Sequence, residues 1–147
     1  MKNSTAFLPN PDFSITILSQ TQLLKMVVEL TRHITTLSNF PLADAQKISL
    51  AIDEAVTNVI KHSYNNVSDR EIRLDYFLGN SGIRIRIFYR GRQPDISDEE
   101  VNIKNMIKSK KKGGLGVKLM RTIMDSVTYS TEDGQHCCEM IKWRQAK

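Results

Sequence analysis

The sequence predicts an α+β domain in two layers, with its helices on one face of a mostly antiparallel sheet. Two observations carry that prediction. Apolar residues change spacing along the chain between a period of two and a helical period, in the order strand, two helices, hairpin, helix, hairpin. The paired strands are also joined by turns too short for a crossover, which makes them antiparallel neighbours.

Each element has its own signal. After a Pro-containing tail, residues 1–11, the alternation of Phe13, Ile15 and Ile17 reads as an entry strand. From Thr21 the spacing becomes helical, and Leu23, Val27, Leu30, Ile34 and Leu37 form one expected apolar stripe. Pro41 and Asp44 break and restart the chain, and Ile48, Ile52, Ala55, Val56 and Val59 share a face in a second helix over about 43–63. Two alternating segments follow, Ile72, Leu74 and Tyr76, then Ile83, Ile85 and Ile87, with Gly79, Asn80, Ser81 and Gly82 as hairpin turn. The pattern disappears over about 90–113, a long loop of lid type. Leu115, Leu119, Met120, Ile123 and Met124 then describe a third helix, and 127–130 with 138–143 close the chain as a hairpin turned at Asp133 and Gly134.

Composition bounds the class. A chain of 147 residues with 40% hydrophobic residues supports one core and is short for two, so residues 1–147 are expected to form a single domain. No apolar run approaches the roughly 20 residues that cross a bilayer, and the start has neither the apolar stretch nor the cleavage site of a leader, so a cytoplasmic protein without membrane contact is expected. The two cysteines, Cys137 and Cys138, are adjacent in a strand where their side chains take opposite faces, which suits free, packed thiols. The net charge of +5 reads as a solvated surface, except for Lys108, Lys110, Lys111 and Lys112, which run into Gly113 and Gly114.

Two places have residues suited to chemistry. Glu54 and Asn58 are four apart on the second helix and off its apolar stripe, with Lys61 and His62 a turn further on, so they can meet one ligand. A carboxamide oxygen suits Mg²⁺ and a carboxylate suits a hydroxyl proton, which is a pairing for phosphoryl transfer. Alone, such a pair is commonplace and reads as the polar back of an amphipathic helix. Gly113, Gly114, Leu115 and Gly116 open the third helix, where unpaired N–H groups attract anions and glycines admit them closely. A loop that simply needs positive φ explains those glycines equally well, and the preceding lysines favour the anion site.

The combination is specific. IDEAVTNVIKHSY, residues 52–64, followed some fifty residues on by GGLGVKLMRTIMDSVTY, residues 113–129, closely resembles the N box and second glycine box of the anti-sigma-factor serine kinases. These form a branch of the ATPase superfamily shared by gyrase, histidine kinases and mismatch-repair proteins. The resemblance spans about 13–143 and implies the Bergerat ATP-binding fold, with ATP and Mg²⁺ as ligands. It implies Glu54 as general base toward a protein serine, Asn58 as Mg²⁺ holder, and Gly114, Leu115 and Gly116 as phosphate-binding amides. The lid over about 95–112 would close the site, and His62, Tyr89, Gly91, Lys112 and Gly113 join the nucleotide-binding set. His62 lies in the same motif, although helix packing is the simpler role for a single histidine.

One box departs from the pattern. Where the family has Asp-x-Gly-x-Gly after the third strand, this chain has Tyr89, Arg90, Gly91, Arg92, Gln93, so only Gly91 is kept. The family's Asp accepts a hydrogen bond from the adenine amine, and tyrosine at that position offers no equivalent carboxylate. A charge-assisted bond of this kind contributes ~1.5–3 kcal/mol, on the order of 10- to 100-fold in affinity.

The resemblance implies an ATP-dependent anti-sigma factor and serine/threonine kinase. Such a protein binds a sigma factor and phosphorylates an anti-sigma antagonist, and it works as a homodimer. The alternative of a different class is a non-catalytic partner-binding module on the same fold, favoured by Tyr89 and Gln93 and opposed by Glu54 and Asn58. The catalytic piece of a sensor histidine kinase fits less well, because His33 lies on the first helix of the domain itself rather than on a dimerising hairpin. Direct nucleic-acid binding has little support, since no helix has a coherent basic face.

Overall fold

A computed structural model describes residues 6–92 and 112–145, with the side chains of 112–115 left aside. Five strands and three helices follow in order: β1 (Phe13–Leu18), α1 (Thr21–Leu37), α2 (Leu42–Asn58), β2 (Glu71–Leu78), β3 (Gly82–Tyr89), α3 (Lys112–Ile123), β4 (Ser126–Glu132) and β5 (Gln135–Trp143). A π-helical turn, Val59–Ser63, extends α2. The sheet order is β1-β2-β3-β5-β4, and every neighbouring pair is antiparallel. The two-layer α+β architecture of the Bergerat type is therefore the fold, with a wholly antiparallel sheet.

Strand alternation explains the layers. Ile72, Leu74, Tyr76, Ile83, Ile85, Ile87, Tyr89, Cys138 and Met140 line the face on which the helices pack, and all are buried in one core. The other face has Arg73, Asp75, Arg84, Arg86 and Glu139, where Arg84 and Arg86 meet the Glu139 carboxylate at 3.6 and 3.5 Å. The Arg84 guanidinium also lies 4.1 Å from the centre of the Phe77 ring, which covers that aromatic residue while its charge stays half-exposed.

The central helix α2 buries Ile48, Ala51, Ile52, Ala55 and Val56 completely or nearly so, and its alanines let it lie close to both α1 and α3. Its expected extent to Ser63 holds, with a change of pitch after Asn58. Tyr64 N–H bonds the Val59 carbonyl at 2.9 Å, five residues back.

The stripe expected on α1 is rotated. Leu24, Val27, Thr31, Ile34 and Thr35 face inward, Leu23 and Leu30 are half-buried, and Leu37 is 68% exposed. Two threonines take core positions because their hydroxyls have partners: Thr31 Oγ1 donates to the Val27 carbonyl at 2.8 Å and lies 2.7 Å from Tyr76 Oη, and Thr35 Oγ1 donates to the Thr31 carbonyl at 2.6 Å. A buried tyrosine in β2 thus sets the rotation of the helix above it.

The final hairpin turns at Asp133 and Gly134, both at positive φ, as a two-residue turn with a right-handed twist requires. Cys137 and Cys138 are buried and unpaired on opposite faces of β5. Residues 93–111 of the expected lid, including Gln93, Lys108, Lys110 and Lys111, lie outside the described residues.

Candidate nucleotide site

Two helices meet at Glu54 and Asn58. Both side chains project from the flank of α2 toward the first turns of α3, where Gly116 lies against them. A Cβ built at Gly116 would collide with Glu54 Oε2 and stand 3.9 Å from Asn58 Nδ2. Any larger residue would have to push the Glu54 carboxylate aside. The sequence places these boxes fifty residues apart, and the fold brings them into contact.

Neither side chain of the pair has a partner among the described residues. Asn58 is only 8% exposed, yet its carboxamide makes no hydrogen bond, and the half-buried Glu54 has neither a hydrogen bond nor a cation. The carboxamide and the carboxylate both keep hydrogen-bonding capacity for a ligand or for water. Gly113, Gly114 and Leu115 lie in the first turn of α3 with Lys112, which places their backbone N–H groups at the positive end of a 12-residue helix.

The second wall is where β3 ends against the π turn. Tyr89 is the last residue of β3, as expected, and is 2% exposed. Its ring lies 5.3 Å from the His136 ring on the neighbouring strand. Burial pushes its phenol well above the ordinary tyrosine range, and the Ser63 hydroxyl is near enough to moderate that rise. Even so, Tyr89 Oη and Ser63 Oγ are both buried without a hydrogen-bond partner.

The backbone after Tyr89 is fastened to the π turn. Arg90 N–H donates to Tyr64 Oη at 2.7 Å, and that hydroxyl donates in turn to the Glu71 carbonyl at 2.7 Å. Arg92 N–H donates to the Ser63 carbonyl at 3.0 Å. Gly91 has φ +100, and a Cβ there would stand 2.6 Å from the Ser63 oxygen and 2.9 Å from the Tyr64 ring, so glycine is required twice over. His136 completes the wall: Nε2–H donates to the Gly91 carbonyl at 2.8 Å, which leaves Nδ1 to accept the Thr131 hydroxyl at 2.8 Å.

The remaining expectations divide. His62 does not pack into the helix layer as expected: it is exposed, as is Lys61, because the π turn shifts the helical phase after Asn58. His33 is exposed on α1. Ser63, Tyr64 and His136 hold the wall and had no role assigned from sequence. Tyr64 lies inside the quoted motif, and His136 pairs with Tyr89 across β3 and β5, strands that no short turn joins, so no local signal reveals it.

Known proteins place this geometry in a class. The profile of the histidine kinase-like ATPase domain matches residues 18–142, and the chain belongs to that family. Within it, the chain is similar to the anti-sigma serine kinases. It is 24% identical over 106 residues to the serine-protein kinase RsbW of Listeria monocytogenes serovar 1/2a, covering 69% of this chain and 68% of that one. It is 28% identical over 99 residues to RsbW of Bacillus licheniformis strain ATCC 14580, covering 62% of this chain and 60% of that one. Among solved structures, the RsbU and RsbW domains of Rv1364c from Mycobacterium tuberculosis match with a TM-score of 0.62 at 17% identity, over 95% of this chain and 34% of that longer one. The SiaB-SiaC complex from Pseudomonas aeruginosa matches with a TM-score of 0.61 at 11% identity, over 91% of each chain. At those identities the structures speak for the fold.

Proposed function

We propose that the protein is a protein serine kinase of a partner-switching system: it binds a sigma factor and phosphorylates the serine of an anti-sigma antagonist, with ATP as phosphoryl donor. The observation that carries this reading is the partnerless pair Glu54 and Asn58 set against Gly116 at the start of α3. The similarity to the RsbW kinases supports it. The residues fit a magnesium triphosphate, since Asn58 offers an amide oxygen without a hydrogen-bond partner and the first turn of a helix offers N–H groups with no intrahelical acceptor. The metal would neutralise phosphate charge; Asn58 would hold it. Glu54 takes the proton of the attacking serine hydroxyl as general base, and Gly114, Leu115 and Gly116 bind phosphate oxygens through their amides. Lys112 and Gly113 belong to the same phosphate end.

The single domain, cytoplasmic site of action and homodimer are part of the proposal. Among the described residues no helix is long and apolar enough to cross a membrane. The edge strand β1, FSITIL, has no charge to oppose pairing with a second chain. The alternative, a non-catalytic binding module, is favoured by one observation, the burial of Tyr89 where the family has its base-reading carboxylate.

Phosphate transfer from labelled ATP to a serine-bearing antagonist domain tests the reading. Glu54→Gln should lower the rate by ~10²-fold or more with the fold intact. Equal rates for wild type and variant remove Glu54 from the mechanism, and no transfer by the wild type leaves the binding module.

A further inference from the structure

We propose that this site holds a nucleoside triphosphate by its phosphates alone and does not read the base, so that adenine and guanine nucleotides are equivalent ligands. The inference rests on the nucleotide-binding reading above and adds the chemical class of the ligand.

The two ends of the site differ in how their polar atoms are used. At the phosphate end, Glu54 and Asn58 have no partner among the described residues, and Gly116 brings the backbone of α3 against them without a side chain. These groups are ready for a ligand. At the other end, between β3 and the π turn, the polar atoms are already engaged or shut in. The Ser63 carbonyl accepts from Arg92 N–H, and the Gly91 carbonyl accepts from His136 Nε2–H. Tyr64 Oη both donates, to the Glu71 carbonyl, and accepts, from Arg90 N–H. Tyr89 Oη and Ser63 Oγ have capacity to spare, but both are sealed from solvent.

Telling adenine from guanine requires a group that accepts from an exocyclic amine in one and rejects a carbonyl oxygen in the other. Such discrimination comes from a polar atom that the wrong base leaves unpaired. The carboxylate that would do this is replaced by a phenol, whose ring fills the space beside His136 and Ser63 with 2% of its surface exposed. A tyrosine hydroxyl, which both donates and accepts, would discriminate poorly even if it were uncovered. The wall formed by Tyr89, Gly91, Ser63 and Tyr64 therefore supplies shape without a hydrogen-bonding code.

Equilibrium binding to the full chain, by calorimetry with Mg²⁺ present, tests this with three ligands: ATP, GTP and inorganic tripolyphosphate. ATP and GTP should bind within about threefold of each other, with tripolyphosphate within ~10-fold of both, because no base-specific bond separates them. ATP binding 10-fold or more tighter than GTP overturns the inference and leaves the nucleotide-binding reading standing. Failure of all three to bind overturns that reading and the inference with it. The same holds if Asn58→Ala leaves the affinities unchanged, since the phosphate end would then lie elsewhere.

Discussion

Replacing Tyr89 with phenylalanine should stabilise the protein, against the usual direction of a core substitution. The ring would keep its place beside His136 and within the core, so no cavity forms and little apolar contact is lost. What disappears is one buried hydroxyl without a hydrogen-bond partner. A polar group left unsatisfied in the interior costs about 1–3 kcal/mol, and the phenylalanine variant recovers the part that the neighbouring Ser63 hydroxyl does not already offset. An increase of about 1 kcal/mol is expected, which for a domain of this size raises Tm by roughly 2–4 °C. Urea unfolding at neutral pH checks it: the midpoint should rise with the slope unchanged. Ser63→Ala should act in the same direction, and a double-mutant cycle reads the coupling between the two hydroxyls. Destabilisation by more than about 1 kcal/mol in Tyr89→Phe would show that the hydroxyl has a real partner. The account of a sealed, idle phenol would then be wrong.

Three further outcomes follow from particular contacts. Gly116→Ala puts its methyl onto the movable Glu54 carboxylate while improving helix propensity by about 0.5–1 kcal/mol, so Tm should hold or rise while phosphotransfer drops on the order of 10²-fold; a rate within twofold of wild type would contradict the contact. Thr31→Val strands the buried Tyr76 hydroxyl, and thermal melts should show a loss of about 1–3 kcal/mol, whereas a neutral result would mean that Tyr76 finds another acceptor. Burial holds the Cys138 thiol and the Tyr76 phenol at about 12, each above its ordinary value, so the folded protein keeps protons that the unfolded chain releases. Stability from these groups is therefore complete below about pH 8.5 and is lost as pH rises toward 12, by up to ~1.4 kcal/mol per pH unit for each group as it enters its range. Urea midpoints from pH 8 to 11 that do not fall would refute the assignment, and Cys138→Ala should flatten the part of the decline that begins first.

The sequence was most legible where a single periodicity acts alone. β3 has Ile83, Ile85 and Ile87 alternating with Arg84 and Arg86, and the structure needs nothing else to orient it. It was less legible on α1, where Leu23, Leu30 and Leu37 looked like the inner stripe. There the inward face was decided by a partner in another element, Tyr76 Oη on β2, which accommodates a threonine that propensity alone would put outside. The π turn is of the same kind. One extra residue in the turn after Asn58 shifts the phase at which Lys61 and His62 leave the helix, and no spacing rule reveals it beforehand.

At the candidate site, the motif points to residues that the fold sets in a different light. Glu54 and Asn58 look ordinary as a spacing of four on a helix. With Gly116 pressed against them and no partner for either among the described residues, they stand together with capacity for a ligand. Tyr89 changes in the opposite direction. In the sequence it is a missing carboxylate and suggests lost affinity; in the fold it is a residue of the core, tied through His136 and Gly91 to the strand beside it. Under the proposed function, the loss of a base-reading carboxylate at the end of β3 is separable from the chemistry at Glu54, which lies on α2 with other neighbours. Phosphoryl transfer depends on the phosphate end, where the charge develops, and base recognition adds ground-state affinity that leaves the chemical step alone. A kinase that has lost that affinity would raise the nucleotide concentration it needs and keep its turnover, whereas a closed phosphate end would abolish both.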